Sequence, residues 1–263
     1  MLSRRLLFAA GAGAATAAPA ILASTARGQN QAAQSTIDRV ERTKVLRIAA
    51  LPGEAPYFNK DIATGEWSGM CIEMAKDIAG VFDAKVDLAF SLNPTPKRAL
   101  VIDFTHAFYL HGFGMVGAKG FHASNWSELN KPEVRIAVDI GSVHELAAHR
   151  FAPNATIIGL KARDDCILAV QSGRADCVIL AVNLGLTAVK KNPALGEFQM
   201  LHQPRVQLPT CMGVRMEADK RWRDFLDAWV DYNRGIQQIR EWLYAGLAIN
   251  GVKPEDVPAD VEL

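Results

Sequence analysis

The sequence predicts an α/β protein with largely parallel sheets, and three observations carry that expectation. Short apolar runs alternate with segments whose apolar residues recur at helical spacing, the order that builds parallel sheets covered by helices. One run, ADCVILAV at 175–182, is apolar throughout, as in a strand covered on both faces. The chain has 263 residues and is 49% apolar, enough to bury one large core or two smaller ones.

At the N-terminus, Arg4 and Arg5 precede a weakly apolar run rich in Ala and Gly, and small residues follow near Ser24 and Ala26. That layout predicts a cleavable export signal over residues 1–28 and hence a periplasmic location. The order Ser3-Arg4-Arg5-Leu6-Leu7-Phe8 is similar to a twin-arginine signal, with the Sec route remaining open. Gly11, Gly13 and Pro19 interrupt the run, which argues against an uncleaved membrane anchor.

After a polar linker to about residue 35, KVLRIAAL at 44–51 predicts a buried strand, and GEAPYFN predicts a turn-rich loop with two aromatics. MCIEMAKDIAGVF at 70–82 puts most of its apolar residues on one helical face. Further strands are predicted at 86–90, 113–116, 134–138 and 175–182, and helices at 143–151, 164–171 and 184–191. Toward the C-terminus, Trp222, Phe225, Leu226, Trp229, Val230, Ile236, Ile239, Trp242 and Leu243 recur at helical spacing and read as core. The last thirteen residues, with two prolines and several acids, read as a surface tail.

Composition removes several classes of function. Lys+Arg 29 against Asp+Glu 28 leaves a formal charge of +1, no surplus for nucleic-acid phosphates. Cys71, Cys166, Cys177 and Cys211 lack metal or redox spacing and read as small buried hydrophobes, with a Cys166–Cys177 or Cys177–Cys211 disulfide left open. His144 and His149 in HELAAH are five apart, which separates them by roughly 140° at about 100° per residue, so they share no metal. Neither a GxSxG elbow nor a GxxxxGK[ST] loop is present, and Gly11 and Gly13 follow no strand. No cofactor, no metal and no catalytic signature is expected.

Two segments offer anion chemistry. In NPTPKRALVIDF at 93–104, Thr95 and Pro96 form an N-cap and first-turn pair that puts Arg98 in the first turn of a short helix. The helix dipole disfavours a cation there, so something else must compensate it. Either Arg98 is a surface residue or pairs with Asp103, or its fork grips a carboxylate. In DIGSVHELAAH at 139–149, Ser142 and Glu145 form a capping box whose helix start has N–H groups suited to anions. A well-capped helix without a ligand is the alternative.

Taken in order from about residue 44 to 247, these segments resemble the family 3 extracellular solute-binding proteins, the periplasmic components of polar amino-acid ABC importers. The resemblance runs through KVLRIAALPGEAPYF, TGEWSGMCIEMAKDIA, LNPTPKRALVIDFTHAFY, RIAVDIGSVHELA, QSGRADCVILAV and RGIQQIREWL. It implies a two-lobed periplasmic-binding-protein fold of type II, with residues 36–115 plus 212–263 in one lobe and 116–211 in the other. It further implies that Arg98 clamps a ligand carboxylate, with Asn93 and Thr95 beside it. Gly141 and Ser142 would reach that carboxylate from the second lobe, and Tyr57 would stack on the ligand. The implied partners are a small carboxylate or amino-acid-like solute and an inner-membrane ABC permease, with the binding protein a monomer.

Three departures from the family pattern stand out. Where the family places an acid for the ligand ammonium, this chain has Ala181 and Val182, so the ligand need not carry an α-amino group; Asn183 follows with no direction legible. Cys71 replaces the usual aspartate of the first helix. A direct run through DAKVDLAFSLNPTPKR leaves no room for the family's strand-helix-strand unit, so lobe 1 is expected to lack one strand-helix unit. Besides a binding protein, a dehydratase-like enzyme on the same fold and a sensor or degenerate nonbinding member remain as alternatives.

Overall fold

The computed structural model describes residues 35–50, 54–83 and 89–257. The export segment, part of the strand at 86–90 and the end of the acidic tail lie outside the described residues.

Ser35 caps helix α1 (Thr36–Thr43), accepting from the Asp38 N–H, and Lys44 ends the helix in the left-handed region. In the run expected as a strand at 44–51, Val45, Arg47 and Ala49 form isolated bridges rather than a continuous strand, and Leu51 lies outside the described residues. A hairpin of β1 (Asn59–Lys60) and β2 (Trp67–Ser68) leads to α2 (Met70–Val81), which buries Met70, Met74, Ala75 and Ile78. Next come β3 (Ala89–Leu92), a 3-10 turn over Arg98–Leu100, β4 (Ile102–Phe104) and the long β5 (Tyr109–Ala118). The short helix expected at Thr95 is therefore a single 3-10 turn. β4 begins only two residues after it, which leaves no room for an α-helix.

Beyond β5 come α3 (Trp126–Leu129), β6 (Arg135–Asp139), α4 (Val143–Phe151), β7 (Thr156–Leu160), α5 (Arg163–Gln171), β8 (Cys177–Ala181) and α6 (Val182–Lys191), of which all but α3 and β7 stand close to where the sequence predicts them. All five residues of β8 are buried, as its apolar composition predicts. The chain returns through β9 (Leu195–Met200) and β10 (Gln207–Arg215), then closes with α7 (Arg221–Gly235) and α8 (Gln238–Ile249). The helical aromatics pack inward, with Trp229 and Trp242 stacked at 5.9 Å between ring centroids. Ile236 departs from that pattern and is half exposed, because the chain turns between the two helices and Gln237 adopts φ 64°.

The strands form one curled sheet in the order β3-β10-β5-β8-β6-β7, with β4 also on β10 and β9 also on β5. Only β6 pairs in parallel, with β7 and β8. The expectation of largely parallel sheets is thus corrected: β5 and β10 run antiparallel to each other and to their other strand neighbours. The chain crosses the molecule through β5 and comes back through β10, which forces opposite directions. Residues 109–112 of β5 pair with 207–210 of β10, residues 113–118 of β5 with β8 and β9, and residues 211–215 of β10 with β3 and β4. All four cysteines are buried free thiols.

Candidate functional site

Where β5 and β10 change partners, a cavity of about 320 Å³ opens. Its walls come from the 54–58 loop, the turn after β3, the ends of β6 and β8, the N-termini of α4 and α5, and the facing residues of β5 and β10. A larger hollow of about 520 Å³ lies between the start of β5 and the α7–α8 junction, but holds none of the residues that the sequence singles out.

The 54–58 loop is fixed by α2. Its first N–H groups, on Met70 and Cys71, donate to the carbonyls of Pro56 and Tyr57 at 3.1 and 3.2 Å, which satisfies two groups that a helix start leaves free. Gly69 makes this approach possible: it adopts φ 110°, and a Cβ there would lie 2.7 Å from the Tyr57 carbonyl oxygen. The Tyr57 ring lines the cavity while its hydroxyl points into a buried cluster. That hydroxyl bonds the Tyr109 hydroxyl, and Asn183 Nδ2 donates to both at 2.9 and 2.8 Å. Burial, the largest cause, raises the pKa of both phenols, Tyr109 to about 12. Asn183, whose direction the sequence left open, is therefore occupied by two tyrosines, and its Oδ1 is buried without a partner.

Arg98, Asn93, Gly141, Ser142 and Tyr57 all line this one cavity; Thr95 does not. Thr95 acts through its neighbour instead, its Oγ1 accepting from the Arg98 N–H at 3.3 Å. Arg98 Nη1 donates to the Asn93 carbonyl at 3.2 Å, and the guanidinium meets no carboxylate among the described residues. Its alternative partner Asp103 is bound to Lys220. Asn93 Nδ2 donates to the Pro209 carbonyl at 2.8 Å.

The capping box differs from expectation by one residue. Ser142 Oγ accepts from the Glu145 N–H at 3.1 Å, as predicted, but the Glu145 carboxylate accepts from Gly141 N–H at 2.7 Å rather than from Ser142. Gly141, at φ 78°, turns its amide back toward the helix. The Ser142 N–H donates to the Asp139 carbonyl at 3.2 Å. Both backbone amides of this loop thus already have protein partners.

Sequence reading did not single out six further lining residues: Glu54, His111, Asp139, His144, Arg163 and Thr210. Arg163 Nη1 donates to Glu54 at 2.5 Å and Nη2 to Asp139 at 3.1 Å, while its Nε is buried without a partner. Burial would raise the Asp139 pKa, but the His144 hydrogen bond, the Arg163 charge and the Ser142 hydroxyl together hold it well below the usual carboxylate range. His144 Nε2 accepts the Ala181 N–H at 3.2 Å and Nδ1 lies 3.1 Å from Asp139. Burial, with a smaller contribution from His144, lowers the His111 pKa to about 3; Nδ1 of His111 lies 2.6 Å from Thr210 Oγ1.

No family model matches the chain, and no curated relative does. Solved structures do. An amino-acid ABC transporter substrate-binding protein, AbpA of Streptococcus pneumoniae bound to L-arginine, superposes with a TM-score of 0.72 at 18% identity, covering 82% of this chain and 100% of that one. The solute receptor for L-cysteine of Neisseria gonorrhoeae gives 0.69 at 16% identity, covering 84% and 98%. An ancestral cationic amino-acid solute-binding protein gives 0.66 at 22% identity, covering 81% and 100%. The chain therefore has the α/β fold of the substrate-binding proteins of amino-acid ABC transporters.

Proposed function

We propose that the chain is an exported, periplasmic solute-binding protein that captures a small carboxylate or amino-acid-like solute and delivers it to an inner-membrane ABC importer. Its two lobes are residues 36–115 with 212–263, and 116–211; β5 and β10 join them, and the cavity between them takes the solute. The observation that carries this reading is Arg98, which lines a cavity together with the Ser142 loop and meets no carboxylate among the described residues. A ligand carboxylate supplies the missing partner in two-pronged geometry. Thr95 and Asn93 hold Arg98 in place, Tyr57 offers its ring face, and Gly141 and Ser142 close the site from the other lobe. The fold supports the same reading, since the similar structures are described as binding amino acids. Among the described residues, no helix is long and apolar enough to cross a membrane.

A catalytic reading has one support, an ancestral structure described as a precursor of cyclohexadienyl dehydratase. The titratable groups of the cavity favour binding instead. Asp139 is held ionised and His111 neutral, each away from proton transfer near neutral pH, and both ring nitrogens of His144 are engaged by protein groups.

Thermal shift of the mature protein against small carboxylates and amino acids tests the proposal. A ligand at a hundredfold excess over Kd should add about 2.7 kcal/mol and raise Tm by several degrees. Arg98→Ala should abolish every such shift. Shifts that persist in that variant would overturn the clamp.

A further inference from the structure

The cavity holds two arginines and two carboxylates, and they are unevenly matched. Among the described residues Arg98 meets no carboxylate, whereas Arg163 meets two, Glu54 and Asp139. One guanidinium charge between two carboxylates leaves a surplus negative charge in that corner. Arg163 brings a single positive charge, shared between Glu54 through Nη1 and Asp139 through Nη2. The neighbouring rings are engaged within the wall: His144 Nε2 accepts a backbone N–H, and His111 is hydrogen-bonded to Thr210. A solute anchored on Arg98 extends, in a space of about 320 Å³, toward this corner.

We infer that Glu54, held on Arg163 beside Asp139, is a specificity-determining residue that makes the cavity select solutes with one carboxylate and a neutral or cationic far end, and reject dicarboxylates. The inference rests on the proposed role of Arg98. Like charges a few ångströms apart in a cleft of intermediate dielectric repel strongly enough to separate affinities by at least about tenfold. Such discrimination works through repulsion of the wrong ligand as much as attraction of the right one. It also supplies what the end of β8 lacks. An ammonium has no acid at Ala181, but it has one on the 54–58 loop and one at the end of β6.

Calorimetry on the mature protein with two shape-matched pairs, succinamate against succinate and glutamine against glutamate, tests this. The wild type should bind the amide of whichever pair it accepts at least about tenfold more tightly than the dicarboxylate. In Glu54→Gln that ratio should collapse to within about threefold, and Glu54→Asp, which keeps the charge, should restore most of it. Dicarboxylates binding the wild type as well as the amides do, or an unchanged ratio in Glu54→Gln, would overturn the inference while leaving the Arg98 clamp intact. Binding that survives Arg98→Ala, or no binding of any of the four, would overturn the reading of the cavity and the inference with it.

Discussion

His111 sits on β5, only 4% exposed, with its ring stacked on Phe113 at 5.4 Å and Nδ1 on Thr210. Because burial lowers its pKa from 6.5 to about 3, the unfolded chain binds this proton more readily than the folded one. The sign follows: the contribution to stability is complete above about pH 6.5 and is lost as pH falls toward 3, at up to about 1.4 kcal/mol per pH unit. Urea unfolding between pH 7 and 4.5 should show this slope, and His111→Gln should flatten it. The depressed Asp139 adds its own loss once the pH falls to the ordinary carboxylate value of 3.8 and below. Nothing in the local sequence HGFGM marks this histidine as buried. Its environment is made by β10, about a hundred residues away in the chain, and the same is true of Glu54 and Arg163, which meet only after folding. Arg98, Ser142 and Tyr57, which line the same cavity, each stand in a segment with its own local signal.

At the scale of single elements, α2 depends on the residue before it. Gly69→Ala should cost about 1–3 kcal/mol, since φ 110° is strained for any side chain and the new Cβ would press on the Tyr57 carbonyl. Chemical denaturation measures that loss, and a drop in ligand affinity should accompany it because Tyr57 rides on the same contact. Elements with strong local chemistry were readable in the sequence: α4 spans Val143–Phe151 as its Ser142 cap predicts, and β8 follows its apolar run. β7, β9 and β10 were not. LGEFQM alternates weakly, and Pro209 within QLPTCMGVR argues against a central strand, yet long-range pairing with β5 overrides both signals. Expected as an α-helix, the Arg98 segment is a 3-10 turn because β4 pairs with β10 immediately after it.

For the molecule as a whole, the cluster of Tyr57, Tyr109 and Asn183 ties together the 54–58 loop, the start of β5 and the first turn of α6. Asn183→Ala strands two buried phenol groups and should lower global stability by about 1–3 kcal/mol in chemical denaturation. The variant should retain Arg98-dependent ligand shifts, since Asn183 does not line the cavity. At this scale the order of segments along the chain was enough to indicate the fold, while the antiparallel course of β5 and β10 emerged only from their pairing. Among the described residues one short ladder, Gln207 to Thr210 against Gly112 to Tyr109, joins these two strands, and Pro209 stands within it opposite Leu110. A proline brings no amide hydrogen and a nearly fixed φ. The Pro209 carbonyl turns away from β5 and accepts from Asn93 Nδ2, so the proline stands where an antiparallel pair exchanges no backbone bond and the join between the two strands keeps its rungs.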